Sequence, residues 1–186
     1  MIVRKSRRAA IVGTLMLTLP GCSGDGAGTP AGPEQADVTG RWDYEATRML
    51  GDIDGRPLSC EVTGAVLILE QQGSSFSGTR EGGRLRCFVD GSADDDLLLD
   101  TASPVTGIST GTRNVRFGYE IPFSLDRLAE VLEELGFPDA APATVLVEHQ
   151  GMMSGSSLSG SAMLMADFGP DLGVLTFTGS WSASGP

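Results

Sequence analysis

From Val38 onward, hydrophobic and polar residues alternate along the chain with a period of two. In the first such segment the apolar positions are Trp42, Tyr44 and Ala46, and charged residues stand between them. This period is typical of β-strands with one buried face. It predicts strands near residues 38–48, 60–71, 75–80, 84–90, 105–110, 113–121, 143–150, 157–167 and 174–181.

Glycine-rich turns separate most of these segments, for example Gly73-Ser74, Gly82-Gly83 and Gly111-Thr112. Glycine allows the positive φ angles that tight turns between strands require. Eight or nine short strands joined in this way predict a mainly β fold. We expect an antiparallel barrel of eight to nine strands, with a β-sandwich as the alternative.

One segment, residues 124–136, has a helical period instead. Its leucines recur every three or four residues, Ser124 can cap its start, and Gly136 and Pro138 can end it. The pattern predicts one amphipathic helix. We expect its leucine face to pack on the barrel.

The N-terminus has a third pattern, in which four basic residues precede the apolar stretch Ala9–Leu19. This stretch is shorter than the roughly 20 residues that a membrane-spanning helix needs. Residues 1–21 are therefore predicted to be a cleaved signal peptide.

The last three residues of the signal peptide and the residue after it read Leu19-Pro20-Gly21-Cys22, which resembles the lipobox of bacterial lipoproteins. The resemblance implies cleavage before Cys22 and acyl chains on that cysteine, so that the membrane is a partner through these chains. It implies a cell-envelope protein. In that family an aspartate directly after the cysteine favours the inner membrane. Ser23 stands at this position here and indicates the outer membrane, if the cell has one, with the domain facing the periplasm or the cell surface. Pro20 departs from the usual residue at its position in that family.

Residues 22–37, which start with the lipidated cysteine, are rich in glycine, proline and alanine. Such a segment cannot bury enough apolar surface to offset its ordering entropy, so we expect a flexible tether. Residues 38–186 then form a single β-barrel domain that includes the helix.

The formal charge of the chain is −11, and loss of residues 1–21 removes four basic residues and no acidic ones, which changes it to −15. Nucleic acid requires a basic surface on its partner. The charge therefore argues against a nucleic-acid partner.

Two cysteines remain beside Cys22, namely Cys60 and Cys87. In an oxidising compartment such a pair predicts a structural disulfide. A simple hairpin that turns at Gly73-Ser74 would place the two residues opposite each other. If Gly82-Gly83 starts a third strand, the bridge has to reach past the second strand or span a barrel opening.

Gly40-Arg41-Trp42 resembles the Gly-x-Trp signature at the start of lipocalins. Together with Phe76-Ser77-Gly78-Thr79 and Gly179-Ser180-Trp181, it is similar to the wider calycin group, which includes avidins. The resemblance implies a barrel that holds one small apolar molecule. The aromatic residues that would form the ligand-binding wall are Trp42, Tyr44, Phe177 and Trp181. The predicted helix departs from the lipocalin order, because it precedes the last two or three strands.

Other candidates for chemistry are few. His149 is the only histidine, and we expect a hydrogen-bonded residue at the barrel rim. The sequence contains no Gly-x-Ser-x-Gly nucleophile motif, and we assign no catalytic residue and no cofactor. A solvated acidic loop is the favoured interpretation of the following weak calcium candidates: Asp90, Ser92, Asp94 and Asp96.

These observations predict a non-enzymatic, membrane-anchored envelope lipoprotein. Its barrel is expected to bind a small apolar ligand. The alternative is a packed interaction or structural barrel that engages another envelope protein. A cavity large enough for a ligand distinguishes the two.

Overall fold

A computed structural model describes residues 35–53, 55–89, 91–93, 97–122, 133, 144–169 and 173–185. This part of the chain forms the following strands: β1 Gly40–Ile53, β2 Arg56–Gln72, β3 Ser75–Glu81, β4 Arg84–Val89, β5 Ser92–Ala93, β6 Leu97–Leu98, β7 Ser103–Thr110, β8 Asn114–Pro122, β9 Thr144–Ser154, β10 Ser157–Asp167 and β11 Val174–Ser184.

The strands form one antiparallel sheet that closes on itself. Its order is β1-β11-β10-β9-β8-β7-β3-β2, and β2 pairs back with β1. Eight strands therefore form a ring, and β4 adds a ninth beside β2, with β5 and β6 paired to β4. The predicted antiparallel barrel of eight to nine strands is confirmed, because two separate sheets would lack the β1–β2 closure.

The long strand β2 serves two neighbours along one edge. Its residues 58–63 pair with β4, and its residues 66–72 pair with β3. Gly64, at φ 66°, lies between the two stretches. Since β3 covers only one end of β2, the chain can turn at Gly82-Gly83 and place β4 against the other end.

The disulfide joins directly opposed residues of β2 and β4. Cys60 and Cys87 are register partners with a Cα–Cα distance of 4.1 Å, so the predicted pairing is confirmed. Neither predicted route to it is right, because β3 does not lie between β2 and β4. For a sequence separation of 27 residues, the chain-entropy estimate of the stabilisation is about 3 to 4 kcal/mol.

A bulge changes the inward alternation in β1. The register of β1 shifts between Thr47 and Leu50 against β11, and between Ala46 and Met49 against β2. Arg48, which lies in both stretches, has φ 52°. Met49 is consequently buried, whereas strict alternation after Ala46 would bury residue 48. The bulge also lets β1 continue to Ile53, beyond the predicted end at residue 48.

The two barrel ends differ. At one end, here named the turn end, lie the tight turns after β2, β7 and β9. The segment that precedes β1 packs there, since Gln35 donates a side-chain hydrogen bond to the Ser109 carbonyl and the Ser109 hydroxyl donates to the Ala36 carbonyl. Residues 35–37, which we assigned to the tether, thus contact the barrel. At the opposite loop end, β7 begins and β8 and β10 end.

Several predicted features lie outside the described residues. They are the signal peptide, Cys22, the tether up to residue 34, and the helix near 124–136 except for Glu133. Among the described residues, no helix has the length and hydropathy needed to span a membrane.

Candidate functional site

Three rings from the adjacent strands β8 and β9 stack inside the barrel. Phe117 and Tyr119 point inward from β8, two residues apart, and His149 is the register partner of Phe117 on β9. The His149 ring centre lies 4.2 Å from that of Phe117 and 5.3 Å from that of Tyr119, with interplanar angles of 3° and 26°. The imidazole is therefore sandwiched between two aromatic rings.

Tyr44 and Trp181 pack against the edges of this stack. The Tyr44 ring centre is 5.5 Å from that of His149 at an interplanar angle of 75°. The Trp181 ring centre is 5.4 Å from that of His149 at 89°. Such edge-to-face contacts are favourable geometries for aromatic pairs. These two residues and the stack form the aromatic cluster, in which no residue is more than 5% exposed.

A chain of hydrogen bonds runs through the aromatic cluster. The Tyr119 hydroxyl donates to the Tyr44 hydroxyl over 3.0 Å, and the Tyr44 hydroxyl lies 2.7 Å from Nε2 of His149. Because the Tyr44 oxygen accepts from Tyr119, its own hydrogen is free to be donated to Nε2. This assignment places the imidazole proton on Nδ1 of His149.

His149 lies deeper than we predicted. The residue is 3% exposed and sits in the barrel interior rather than at the rim. The reason is that β9 continues to Ser154, so residue 149 is in the middle of a strand and not at its end. Burial lowers the pKa of His149 to about 3, and the side chain is neutral at pH 7. The backbone of Phe117 acts in the opposite direction and raises this pKa as a hydrogen-bond partner, although Nδ1 of His149 makes no hydrogen bond of ideal geometry in the described part of the chain.

Arg80 projects from β3 into the interior and is 0% exposed. One terminal nitrogen donates to the carbonyls of Gly82 and Leu99, at 2.6 and 3.2 Å. The other donates to the Thr101 carbonyl and the Ser103 hydroxyl, at 2.7 and 2.9 Å. The guanidinium thereby ties the segment before β7 to the β3–β4 turn.

Arg80 was missed as a site residue by the sequence analysis, although a signal was present. It has the same inward parity as Phe76 in the predicted strand 75–80, so alternation places a charged side chain inside the barrel. Its Cζ lies 5.8 Å from the ring centre of Tyr119, which connects it to the aromatic cluster. Phe117 and Tyr119 were also missed.

The four residues of the predicted ligand wall all point inward, but they do not form one wall. Tyr44 and Trp181 meet in mid-barrel, 6.4 Å apart between ring centres. Trp42 lies towards the turn end, where its indole N–H donates to the Val38 carbonyl over 2.9 Å. Phe177 lies towards the loop end.

Glycines make room for these rings on neighbouring strands. A Cβ on Gly51 would overlap the ring of Phe177, and a Cβ on Gly107 would overlap that of Phe76. Inward positions without a side chain are thus occupied by the rings opposite them. Large and small residues interdigitate in this way in densely packed protein interiors.

The weak calcium candidates are only partly described. Asp90, Asp94 and Asp96 lie outside the described residues, and Ser92 belongs to β5, where it pairs with Val89. In the described part of the chain, no three side chains of the metal-binding types come together.

A concave region, here named the outer strip, lies on the outside of β7 to β10. At its centre Gly118 of β8 lacks a side chain, and its register partners are Thr106 on β7 and Glu148 on β9. Arg116 and Glu120 flank Gly118 along β8. The half-buried side chains of Leu146 and Met163 add apolar surface, so the outer strip is apolar in part and carries exposed charges.

No protein-family model matches this chain, and no curated protein matches it significantly. Its function is therefore inferred from its own residues.

The buried imidazole should make folding sensitive to acid. The folded-state pKa of His149, about 3, lies below the unfolded value of about 6.5, so the unfolded chain binds more protons between these pH values. The contribution of His149 to the free energy of unfolding is fully present above about pH 6.5, and it decreases as the pH falls towards 3. Relative to His149→Phe, the wild type should lose about 3 kcal/mol of unfolding free energy between pH 7 and pH 4. Urea unfolding of both proteins at each pH measures this difference, and parallel pH profiles would contradict it.

Tyr44 should contribute more to stability than Tyr119, because it is the middle member of the hydrogen-bond chain. Tyr44→Phe leaves Nε2 of His149 and the Tyr119 hydroxyl without partners and should cost about 2 to 4 kcal/mol. The matched variant Tyr119→Phe removes one terminal hydroxyl and should cost about 1 kcal/mol. If chemical denaturation showed equal losses of unfolding free energy for the two variants, the hydrogen-bond chain through Tyr44 would not form in solution.

Proposed function

We propose that this chain is a non-enzymatic lipoprotein of the cell envelope, anchored by acyl chains on Cys22. Its barrel acts as a packed module that engages another envelope protein through the outer strip. The observation that carries this proposal is the aromatic cluster, which occupies the interior that a carrier protein would leave open for a ligand.

Burial of the predicted wall supports a packed barrel over a ligand-binding barrel. Trp42, Tyr44 and Trp181 are at most 2% exposed, and Phe177 is 6% exposed. Their neighbours are other side chains and the backbone of inward glycines. A drug-sized molecule needs a cavity of at least about 300 Å³. The rings would have to separate to create such a volume, at the expense of their mutual contacts.

The environment of His149 supports a non-enzymatic role. A general base must reach its substrate and needs a pKa near the working pH. His149 is buried, its Nε2 is engaged by Tyr44, and its pKa of about 3 makes it a weak base. It serves the packing and hydrogen bonding of the core.

Charge indicates the kind of partner. Glu120 on β8 and Glu148 on β9 lie next to Gly118 and are exposed, and they outnumber the one cation among the residues named for the outer strip, Arg116. By the count given above, the mature chain carries a formal charge of −15. Complementary charge favours the encounter of partners and fixes their register. We therefore assign a basic, partly apolar segment of another envelope protein to the outer strip, with its apolar side chains on Leu146 and Met163.

Membrane attachment should depend on Cys22 alone. Cys22→Ser removes the acylated thiol, so the protein should move from the membrane fraction to the aqueous fraction while its barrel remains folded. Fractionation with immunodetection measures the distribution, and circular dichroism checks the fold. Cys60→Ser with Cys87→Ser is the matched control, since it also removes cysteines but should leave the anchor intact. Membrane retention of the Cys22→Ser variant would overturn the proposed anchor.

Partner binding should depend on the carboxylates of the outer strip. A photo-crosslinking residue at the exposed position of Thr106 should capture one envelope protein in cells, and Glu120→Lys with Glu148→Lys should reduce the yield several-fold. The control Glu45→Lys with Glu70→Lys changes the net charge by the same amount on other faces of the barrel. This control should keep the crosslinking yield of the wild type.

Equal losses of crosslinking yield in both charge-reversed variants would contradict a specific docking role for the outer strip.

The ligand-binding alternative has a separate test, in which an organic extract of the purified protein is analysed by mass spectrometry. A stoichiometric apolar molecule in this extract would overturn the packed-barrel proposal.

A further inference from the structure

Residues 35–39, here named the strap, lie across the turn end of the barrel before β1 begins. Two apolar side chains of the strap are buried, Ala36 at 5% and Val38 at 0% exposure. The strap runs from the start of β1 to the end of β7, where Gln35 donates to the Ser109 carbonyl over 2.8 Å. The chain therefore joins the barrel at the turn end.

Gln71, near the end of β2, fastens the strap. Its side-chain oxygen accepts from the Val38 backbone N–H at 2.9 Å, and its side-chain nitrogen donates to the Gly73 carbonyl and the Ser109 hydroxyl at 2.9 and 3.2 Å. The Ser109 hydroxyl in turn donates to the Ala36 carbonyl at 3.3 Å. One glutamine thus links the strap to β2 and β7, so that the strap belongs to the folded domain.

The position of the strap limits how far the turn end can move from a lipid anchor at Cys22. Gln35 follows Cys22 by thirteen residues, and even a fully extended chain of this length spans only about 45 Å. The strands β9 and β10 contain eleven residues each, which corresponds to a length of about 35 Å. Of the two barrel ends, the turn end is thus the one that such an anchor holds close to lipid.

The turn end is also nearly neutral. Its tight turns, after β2, β7 and β9, consist of glycine, serine and threonine with one charged residue, Arg113. The strap contains one carboxylate, Asp37. The mature chain carries a formal charge of −15 by the count given above, so its excess of carboxylates falls outside these segments. Anionic lipid repels carboxylates within about 10 Å at 0.1 M salt, and the turn end approaches such a surface without this repulsion.

We propose that the turn end is the lipid-facing end of the barrel, that its three tight turns contact the headgroup layer of the membrane, and that the strap holds it there. This inference rests on the proposed acyl anchor at Cys22. It assigns the loop end to the side away from the membrane. The outer strip lies on the barrel wall and stays accessible to another protein in this orientation.

The direct test uses the acylated protein on vesicles of phosphatidylcholine and phosphatidylglycerol that contain a nickel-chelating lipid. A nitroxide label is attached to Thr112→Cys in the β7–β8 turn, or to Val174→Cys at the loop end, where the native side chain is 58% exposed. We expect the collision rate with headgroup nickel to be several-fold higher for the label at residue 112. Equal rates at the two positions, or a higher rate at residue 174, would refute the lipid-facing turn end.

The same experiment separates this inference from the proposed anchor. Acylated protein that does not bind the vesicles would contradict the anchor, and the lipid-facing assignment would fail with it. Protein that binds but gives equal rates for the two labels would leave the anchor intact and refute only the orientation. Cys22→Ser protein is the control for collisions without an anchor, and both labels should then give equally low rates.

Charge reversal at the turn end provides a second test. Arg113→Glu places a carboxylate in the β7–β8 turn, so it should lower the nickel collision rate of the Thr112→Cys label on these anionic vesicles. Arg116→Glu makes the same change of charge at an exposed position on the barrel wall and should retain the wild-type rate. Equal effects of the two variants would contradict contact through the turns.

Hydrogen exchange tests the strap without a membrane. Gln71→Ala removes the acceptor of the Val38 N–H, so exchange of this amide should become about tenfold faster. Gln72→Ala changes the exposed neighbouring residue and should leave the rate unchanged. A Val38 amide that exchanges at the unprotected rate in the wild type, or equal rates in the two variants, would show that Gln71 does not fasten the strap.

Discussion

Closure of the sheet through β1 is the constraint on which the rest of the structure depends. β1 pairs with β11 on one side and with β2 on the other, which turns a sheet into a ring. A closed ring satisfies the backbone groups of its outermost strands, and these would otherwise be open to pairing with other chains. It also creates an enclosed interior that has to be filled. The bulge at Arg48 shifts the register of β1 with both neighbours, and the pairing with each of them continues beyond it.

The interior is filled by an unusual combination of aromatic rings and polar groups. His149, Tyr44 and Tyr119 share hydrogen bonds inside an otherwise apolar core. Such a network has to be satisfied internally, because a buried polar group without a partner costs more than an apolar one. The cluster therefore holds the rings in one arrangement. Arg80 is a further buried polar group, and its terminal nitrogens are satisfied by backbone carbonyls and by the Ser103 hydroxyl.

Because the interior is filled, the proposed function assigns partner binding to the outer surface of the barrel. An anchored barrel whose core is occupied can still present a shaped and charged outer face, and Gly118 provides the depression from which Glu120 and Glu148 rise. In the proposed function, the acyl anchor on Cys22 keeps the barrel at the membrane, where a basic segment of another envelope protein is its partner. In that proposal the barrel is a rigid support, and the disulfide between β2 and β4 stabilises it.

Local pattern determined the strands, and long-range contacts decided how they are arranged. Period-two alternation correctly predicted a barrel of eight to nine strands and the inward direction of Trp42, Tyr44, Phe177 and Trp181, because side-chain direction in a strand depends only on backbone geometry. The pairing of Cys60 with Cys87 also followed from sequence. The route of that disulfide, the depth of His149 and the acceptors of Arg80 depend on which distant strands become neighbours, and a local period carries no information on pairing partners. Only the tertiary structure could therefore show that the interior holds a connected polar cluster.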